Sequence, residues 1–342
     1  MRNYFFLIIA TICTFLQAQI QLKGNVKDIN NLAIPYCSIG IKDSEIGAIT
    51  DENGQFSIEI PENLAKSQLI FDAAGYDEKS ISVKEIQQNS VVILNEKVVS
   101  LTEVIVKTEK MKEKIVGQKT RPMLTFSKMF KENAQTVEQG NIFEIYPKTK
   151  LNTYNFHIIP SSKYDEITLK VNIYAVKNGL PTESLLEENI IYKTSTTGWQ
   201  KIDLTPYKFR FKNVEKIAVT LQLIDYKKPE NEEFVFGVSA KKSLAKDLLF
   251  RFQSQGNWEP SPGVFIANLE VLYSKEKLNT KEEKPEEIDT KTQELISYYQ
   301  HKEDAKKSIY GKNKSGKYID VNDAKIYYEE YGQGEPLIFL HG

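Results

Sequence analysis

The chain is 342 residues long and carries 45 Lys and Arg against 46 Asp and Glu, a formal net charge of -1. Nucleic-acid binding by bulk charge needs a basic excess, so this balance excludes it. An apolar fraction of 41% supports packed cores and excludes disorder throughout, and the length corresponds to about two domains. Eighteen Tyr and 17 Phe beside 4 Met and 2 Trp lean toward β structure, because aromatic side chains pack well on a pleated surface.

Arg2 precedes an uncharged run from Tyr4 to Leu16, and the small Ala18 precedes Gln19. That order predicts a secretory signal over residues 1–18 with cleavage near Ala18, although Leu16 is larger than the ideal residue three places back. The run is shorter than the roughly 20 residues a membrane span needs, so no transmembrane span is expected after cleavage. Cys13 follows Ile12 rather than a small residue, which argues against lipid anchoring. The expected compartment is the periplasm, the outer-membrane surface or the exterior. Cys37 is then the one remaining cysteine, so no internal disulfide or Cys-rich metal site is expected. Its alternation with Ile39 and Ile41 reads as a small buried hydrophobe.

Period-two alternation runs through Ile20, Leu22, Gly24 and Val26, then Cys37 to Ile41, Phe56 to Ile60, Leu69 and Phe71, and Ile81 and Val83. Such runs predict half-buried strands, and Asn30-Asn31, Asp51-Glu52-Asn53-Gly54 and Gly75-Tyr76 supply the turns between them. The ordered set Gly24-x-Val26-x-Asp28, Pro35, Gly47-Ala48-Ile49-Thr50-Asp51-x-x-Gly54-x-Phe56-x-Ile58, Pro61, Leu69-x-Phe71 and Gly75-Tyr76 resembles the carboxypeptidase-regulatory-like domain, a transthyretin-like β-sandwich. Ala48 stands where that family usually has Thr. The resemblance covers residues 19–106 and implies an accessory domain without catalytic residues, in which Thr50 and Asp51 are turn and cap residues. Leu101 to Val106 is similar to the strand that follows such domains in Gram-negative envelope proteins, including the lead into the plug of outer-membrane receptors.

Residues 107–140 begin with a charged stretch and are expected to be a connector. Alternation returns over 141–274, for example Tyr154, Phe156 and Ile158, then Ile217 to Leu223, then Phe265 to Tyr273, with turns at Asn178-Gly179 and Gly256-Asn257. A two-sheet sandwich or jelly roll follows. Gly198-Trp199-Gln200-Lys201-Ile202-Asp203-Leu204 resembles jelly-roll modules of secreted and envelope proteins, several of which bind carbohydrate. Trp199, Trp258, Tyr207 and Phe252 are the candidate sugar-stacking residues. Trp199 and Phe252 are expected to plug the core, whereas Trp258, between Gln255-Gly256-Asn257 and Pro260-Ser261-Pro262-Gly263, is the expected exposed contact. His157, without a second His or carboxylate at ligand spacing, predicts no metal site, and no cofactor is expected.

Residues 275–315 are dense in Lys and Glu and read as a solvated linker. Over 316–342 a hairpin, Lys317 to Val321 and Ala324 to Tyr331, leads through Gly332-Gln333-Gly334-Glu335-Pro336 into the apolar run Leu337 to Leu340 and then His341-Gly342. This series resembles the start of an α/β-hydrolase domain, which implies that His341 and Gly342 open the loop whose backbone donates to the oxyanion. Acyl transfer by that fold needs a Gly-x-Ser-x-Gly elbow, an acid and a His in that order. Gly237-Val238-Ser239-Ala240-Lys241 has only the first half of an elbow, and three histidines, His157, His301 and His341, assemble no triad.

The resulting expectation is a mainly β chain: two consecutive antiparallel sandwiches, transthyretin-like then jelly-roll-like, a charged linker, and incomplete α/β-hydrolase strands. Its functional reading is the exported accessory region of a hydrolase-family protein, catalytically inert as it stands. The alternative is a non-enzymatic envelope or carbohydrate-binding protein. A glycan or an envelope protein is the expected partner, not nucleic acid.

Overall fold

The computed structural model describes residues 19–97, 111–275, 297–298, 301, 316–322, 324–330 and 332–334. The expected signal segment, the strand at Leu101 to Val106, most of the charged linker, the run Leu337 to Leu340 and the pair His341-Gly342 lie outside the described residues. The chain divides into two units, Met1–Leu278 and Asn279–Gly342.

In the first sandwich, alternation turns Leu22 and Val26 of β1 (Gln19–Asp28) inward. The remaining strands are β2 (Ser38–Gly40), β3 (Gly47–Ile49), β4 (Gln55–Pro61), β5 (Gln68–Asp72), β6 (Lys79–Ser82) and β7 (Val91–Leu94). One sheet has the order β4-β1-β7, with β7 parallel to β1, and the other β3-β2-β5-β6. Between them lie Ile39, Ile58, Ile60, Leu69, Phe71 and the fully buried Cys37. The Asp51–Gly54 turn closes because Asp51 Oδ1 accepts from the Asn53 and Gln55 amides at 2.8 Å each, while Gly54 adopts φ +72°. Thr50 Oγ1 accepts from the Cys37 amide and donates to Ile34 O. Val83, expected to continue a strand, instead opens helix α1 (Val83–Gln88). The reason is local: Ser82 and Glu85 form a reciprocal capping box, which satisfies backbone donors at the helix start.

The second sandwich contains β8 (Lys112–Gly117), β9 (Phe126–Phe130), β10 (Glu138–Glu144), β11 (Lys148–Ile158), β12 (Glu166–Lys177), β13 (Leu180–Ser184) and β14 (Ile190–Thr194). It continues with β15 (Gly198–Asp203), β16 (Arg210–Lys212), β17 (Lys216–Lys227), β18 (Phe236–Lys241), β19 (Leu248–Arg251), β20 (Val264–Phe265) and β21 (Ala267–Ser274). One sheet runs β13-β12-β17-β10-β19 with β14 beside β12. The other runs β20-β18-β11-β21-β8, with β15 and β16 beside β11 and β9 beside β18. Tyr154, Phe156, Ile158, Leu169, Val219, Phe236 and Leu269 fill the space between them. The β12–β13 hairpin turns at Asn178 and Gly179, φ +53° and +78°, the conformation a two-residue hairpin favours.

The stretch expected as a connector supplies β8, β9 and the first residues of β10. Lys112, Glu113 and Lys114 made it look solvated, yet β8 borders the sheet, pairs with β21, and packs Val116 on the core. Charged side chains on a border strand protect its free edge without preventing pairing. In the second unit, β22 (Lys317–Val321) and β23 (Ala324–Tyr328) form the expected hairpin, with Asn322 at φ +46°.

Candidate functional site

Ile167, Leu169, Val171 and Ile173 of β12 face the sandwich core, so the period of two turns Thr168, Lys170, Asn172 and Tyr174 to the opposite face. Thr220 and Gln222 of β17, Glu138 of β10 and Arg251 of β19 join them there, and all eight are buried. Glu138 Oε1 accepts from Arg251 Nε at 3.1 Å and Nη2 at 2.5 Å. Its Oε2 accepts from Tyr174 OH at 2.9 Å, Thr220 Oγ1 at 2.9 Å and Asn172 Nδ2 at 3.2 Å. Burial opposes the Arg251 charge most strongly, but the Glu138 carboxylate together with Tyr174 and Asp72 raises the guanidinium pKa.

Trp258 roofs this cluster. Its ring centre lies 4.1 Å from Arg251 Cζ and 5.7 Å, edge-to-face, from Tyr174. Ile142, Val176, Ala218 and Leu249 make an apolar floor beside it. Trp258 is therefore half-buried rather than freely exposed, because Glu259 and Phe250 exchange backbone hydrogen bonds and fold its loop back over β19. Trp199 and Phe252, expected in the core, are exposed instead. Tyr207 is partly buried and stacks on Phe209.

Farther along the same face the first sandwich is docked. Lys170 Nζ donates to Tyr36 O at 2.8 Å, Asn189 Nδ2 to Pro35 O at 3.1 Å, and Gln253 Nε2 to Ile41 O and Ser44 O at 2.9 and 2.8 Å. A Cβ on Gly40 would lie 1.9 Å from Gln253 Oε1, so glycine permits this approach. Desolvation lowers the Lys170 pKa, against the nearby Asp72 and Glu138 carboxylates. Burial pushes the Cys37 thiol up to about 12, so it holds no reactive thiolate near neutral pH. Beside this contact opens a cleft of about 710 Å³ lined in part by Tyr36, Asp51, Glu52, Gln55, Thr168 and Asp225.

On the outer face of the other sheet, Ser239 Oγ lies 3.0 Å from His157 Nδ1. Desolvation lowers the His157 pKa, assisted by the Arg121 charge. A nucleophilic serine must reach substrate from an exposed turn. Ser239 instead sits fully buried inside β18, and among the described residues no carboxylate bonds to His157, so the pair is a satisfied hydroxyl–imidazole contact within a sheet. Among the described residues no group of three or more His, Cys, Asp and Glu suits a metal ion, and no helix is long and apolar enough to cross a membrane.

The comparisons with known proteins agree with the sequence for the first sandwich. Residues 22–106 match the model of the CarboxypepD_reg-like domain and are a domain of that kind. No curated protein matches the chain. Among solved structures, the cysteine protease and lectin-like domains of Cwp84, a surface layer associated protein of Clostridium difficile, superpose with a TM-score of 0.34 at 10% identity. That match covers 70% of this chain, which spans only 59% of that one. The clostridial cysteine protease Cwp84 after propeptide cleavage gives the same score and identity over 75% of this chain and 71% of that one.

Proposed function

We propose that residues 19–274 act as a single non-catalytic accessory body of an exported protein, carried ahead of an α/β-hydrolase domain whose first strands begin near Gly316. The observation that supports the accessory role is the docking of the first sandwich by its main chain. Tyr36, Ile41 and Ser44 offer backbone carbonyls, which the buried Lys170 and Gln253 of the second sandwich hold. These bonds fix the register of the two sandwiches, each adding on the order of 1 kcal/mol to the joined state beyond the water contacts it replaces. The hydrolase part rests on the motif series from Gly316 to Gly342 and on the hairpin at its start. The purified chain is expected to show no hydrolysis of an activated ester, and activity abolished by Ser239→Ala would refute the non-catalytic reading. A reading frame encoding no nucleophile elbow after His341 would remove the hydrolase part alone.

A second reading, glycan binding by this body, is favoured by the half-exposed Trp258 ring, one side of which is held by Arg251 and Tyr174. Aromatic faces pack on sugar C–H groups, and a ring held in place from one side offers its other face for that contact. Retention on polysaccharide gels is expected to disappear in Trp258→Ala and persist in part in Trp258→Phe, with circular dichroism verifying both folds. Equal retention of both variants and the parent would exclude Trp258 as the contact.

A further inference from the structure

The outer face of the β11-containing sheet carries exposed apolar residues in a basic setting. His157, Ser239 and Gly237 lie on this face because Phe156, Ile158, Phe236 and Val238 point into the core. Trp199 of β15 pairs with His157 and meets its ring edge-to-face at 5.5 Å, leaving the indole exposed. Met129 of β9, also exposed, packs its Sδ where a Cβ on Gly237 would stand. The β8–β9 loop then raises Met123 and Leu124, 95% and 86% exposed, and the β18–β19 loop raises the fully exposed Leu244.

The two loops leave the same end of the sheet. Gly263 donates its amide to Ala245 O at 3.2 Å, and a Cβ on Gly263 would lie 3.3 Å from the Phe126 ring. The β8–β9 loop, residues 118–125, contains Lys119 and Arg121 and no acidic residue, and residues 241–247 contain Lys241, Lys242 and Lys246 against the half-buried Asp247, a local excess of cations at this end of the sheet. Among the described residues none of these five cations joins an ion pair. On this face Glu270 is paired with Lys201 at 3.2 Å, and the exposed Asp203, two positions along β15 from Lys201, bonds to Thr205, so the carboxylates sit at the β15 end of the face, away from the two cationic loops.

We propose that this face docks peripherally on an anionic lipid surface, with Met123, Leu124 and Leu244 entering the interfacial region and the loop cations meeting lipid phosphates. Shallow apolar insertion and positive charge reinforce each other at such a surface, and a tryptophan at its margin suits the headgroup layer. The charge complementarity selects anionic lipid over an uncharged glycan as the occupant. The proposal is independent of whether the chain has a hydrolase continuation.

Co-sedimentation of the full chain with vesicles of phosphatidylcholine and phosphatidylglycerol tests it. Binding is expected with these vesicles, to weaken with added salt, and to be absent or far weaker with phosphatidylcholine alone. Lys241→Glu with Lys242→Glu, and separately Leu124→Ser with Leu244→Ser, are each expected to reduce partitioning about tenfold or more without changing the melting temperature. Ile29→Ser with Leu32→Ser, on an exposed turn of the first sandwich, is expected to leave partitioning unchanged. A vesicle-induced blue shift of tryptophan fluorescence should vanish in Trp199→Phe. No partitioning, equal partitioning into both vesicle types, or retention of binding in both double variants would overturn the proposal. Retention on a neutral polysaccharide that depends on Trp199, without vesicle binding, would also overturn it in favour of a glycan surface.

Discussion

Glu138 and Arg251, from strands adjacent in one sheet, form a buried ion pair on the face of the second sandwich turned away from its own core, with Arg251 Nε and Nη2 both donating to Glu138 Oε1. Trp258 covers the guanidinium, and Tyr174 bonds to both partners. The carboxylate thus receives five hydrogen bonds where water would otherwise solvate it.

Breaking one side of this pair strands a buried charge. Glu138→Ala is expected to cost about 3–5 kcal/mol, because Arg251 keeps its desolvation penalty without a counter-ion. Glu138→Leu combined with Arg251→Met should recover part of that loss, by removing the stranded charge, while Tyr174, Thr220 and Asn172 still lack their acceptor. Urea unfolding of the single and double variants measures both, and additive costs would contradict the coupling.

Gln253 is expected to control the contact between the sandwiches. Gln253→Ala removes the donors to Ile41 O and Ser44 O, at about 1 kcal/mol per lost hydrogen bond. Gly40→Ala should act similarly by driving a methyl group into the Gln253 amide. Amide exchange at Asp43, which donates to Gln255 O, should quicken in both variants while the β11 and β12 amides stay protected.

Acidification should destabilise the second sandwich through His157. Its pKa in the fold lies below the ordinary 6.5, so the unfolded chain binds a proton more readily. Above that value both states are neutral at this site and it contributes no pH dependence. As pH falls through 6.5 toward the lower folded pKa, unfolding takes up the proton and stability drops. The difference in unfolding free energy between the parent and His157→Gln should therefore change below about pH 6.5 and stay constant above it. Parallel curves across that range would show that His157 does not titrate on unfolding.

Ser82→Ala should destabilise the first sandwich by about 1 kcal/mol, since it abolishes the capping box at the start of α1. Thermal unfolding would show the loss. Ser82→Asp should restore most of it, because a carboxylate also accepts from the helix amides.

Local chemistry explains how much of the fold is legible in the sequence. The strands of both sandwiches follow from period-two alternation, because successive side chains on a pleated backbone must point to opposite faces. Asp51–Gly54 and Asn178-Gly179 are readable as turns for an equally local reason, the side-chain acceptor of Asp51 and the tolerance of Asn and Gly for positive φ. The Ser82-x-x-Glu85 capping signature is local and legible in the sequence, but it overlaps the alternation of Ile81 and Val83, which points to a strand; the reciprocal cap decides for the helix.

What tertiary structure alone decided is which polar positions lose their water. Lys170, Asn172, Thr220 and Gln222 alternate with core residues as a solvated sheet face would, and they are buried because the first sandwich, Trp258 and neighbouring strands cover that face. Lys112 to Lys114 have a linker's composition but pair with β21, since an edge strand satisfies its backbone on one side and keeps its charges wet on the other. The reversed positions of Trp199 and Trp258 have the same origin. Both lie in turn-rich or alternating sequence, and burial is settled by which remote segment folds over each ring, a relation between residues far apart in the chain that no local pattern encodes.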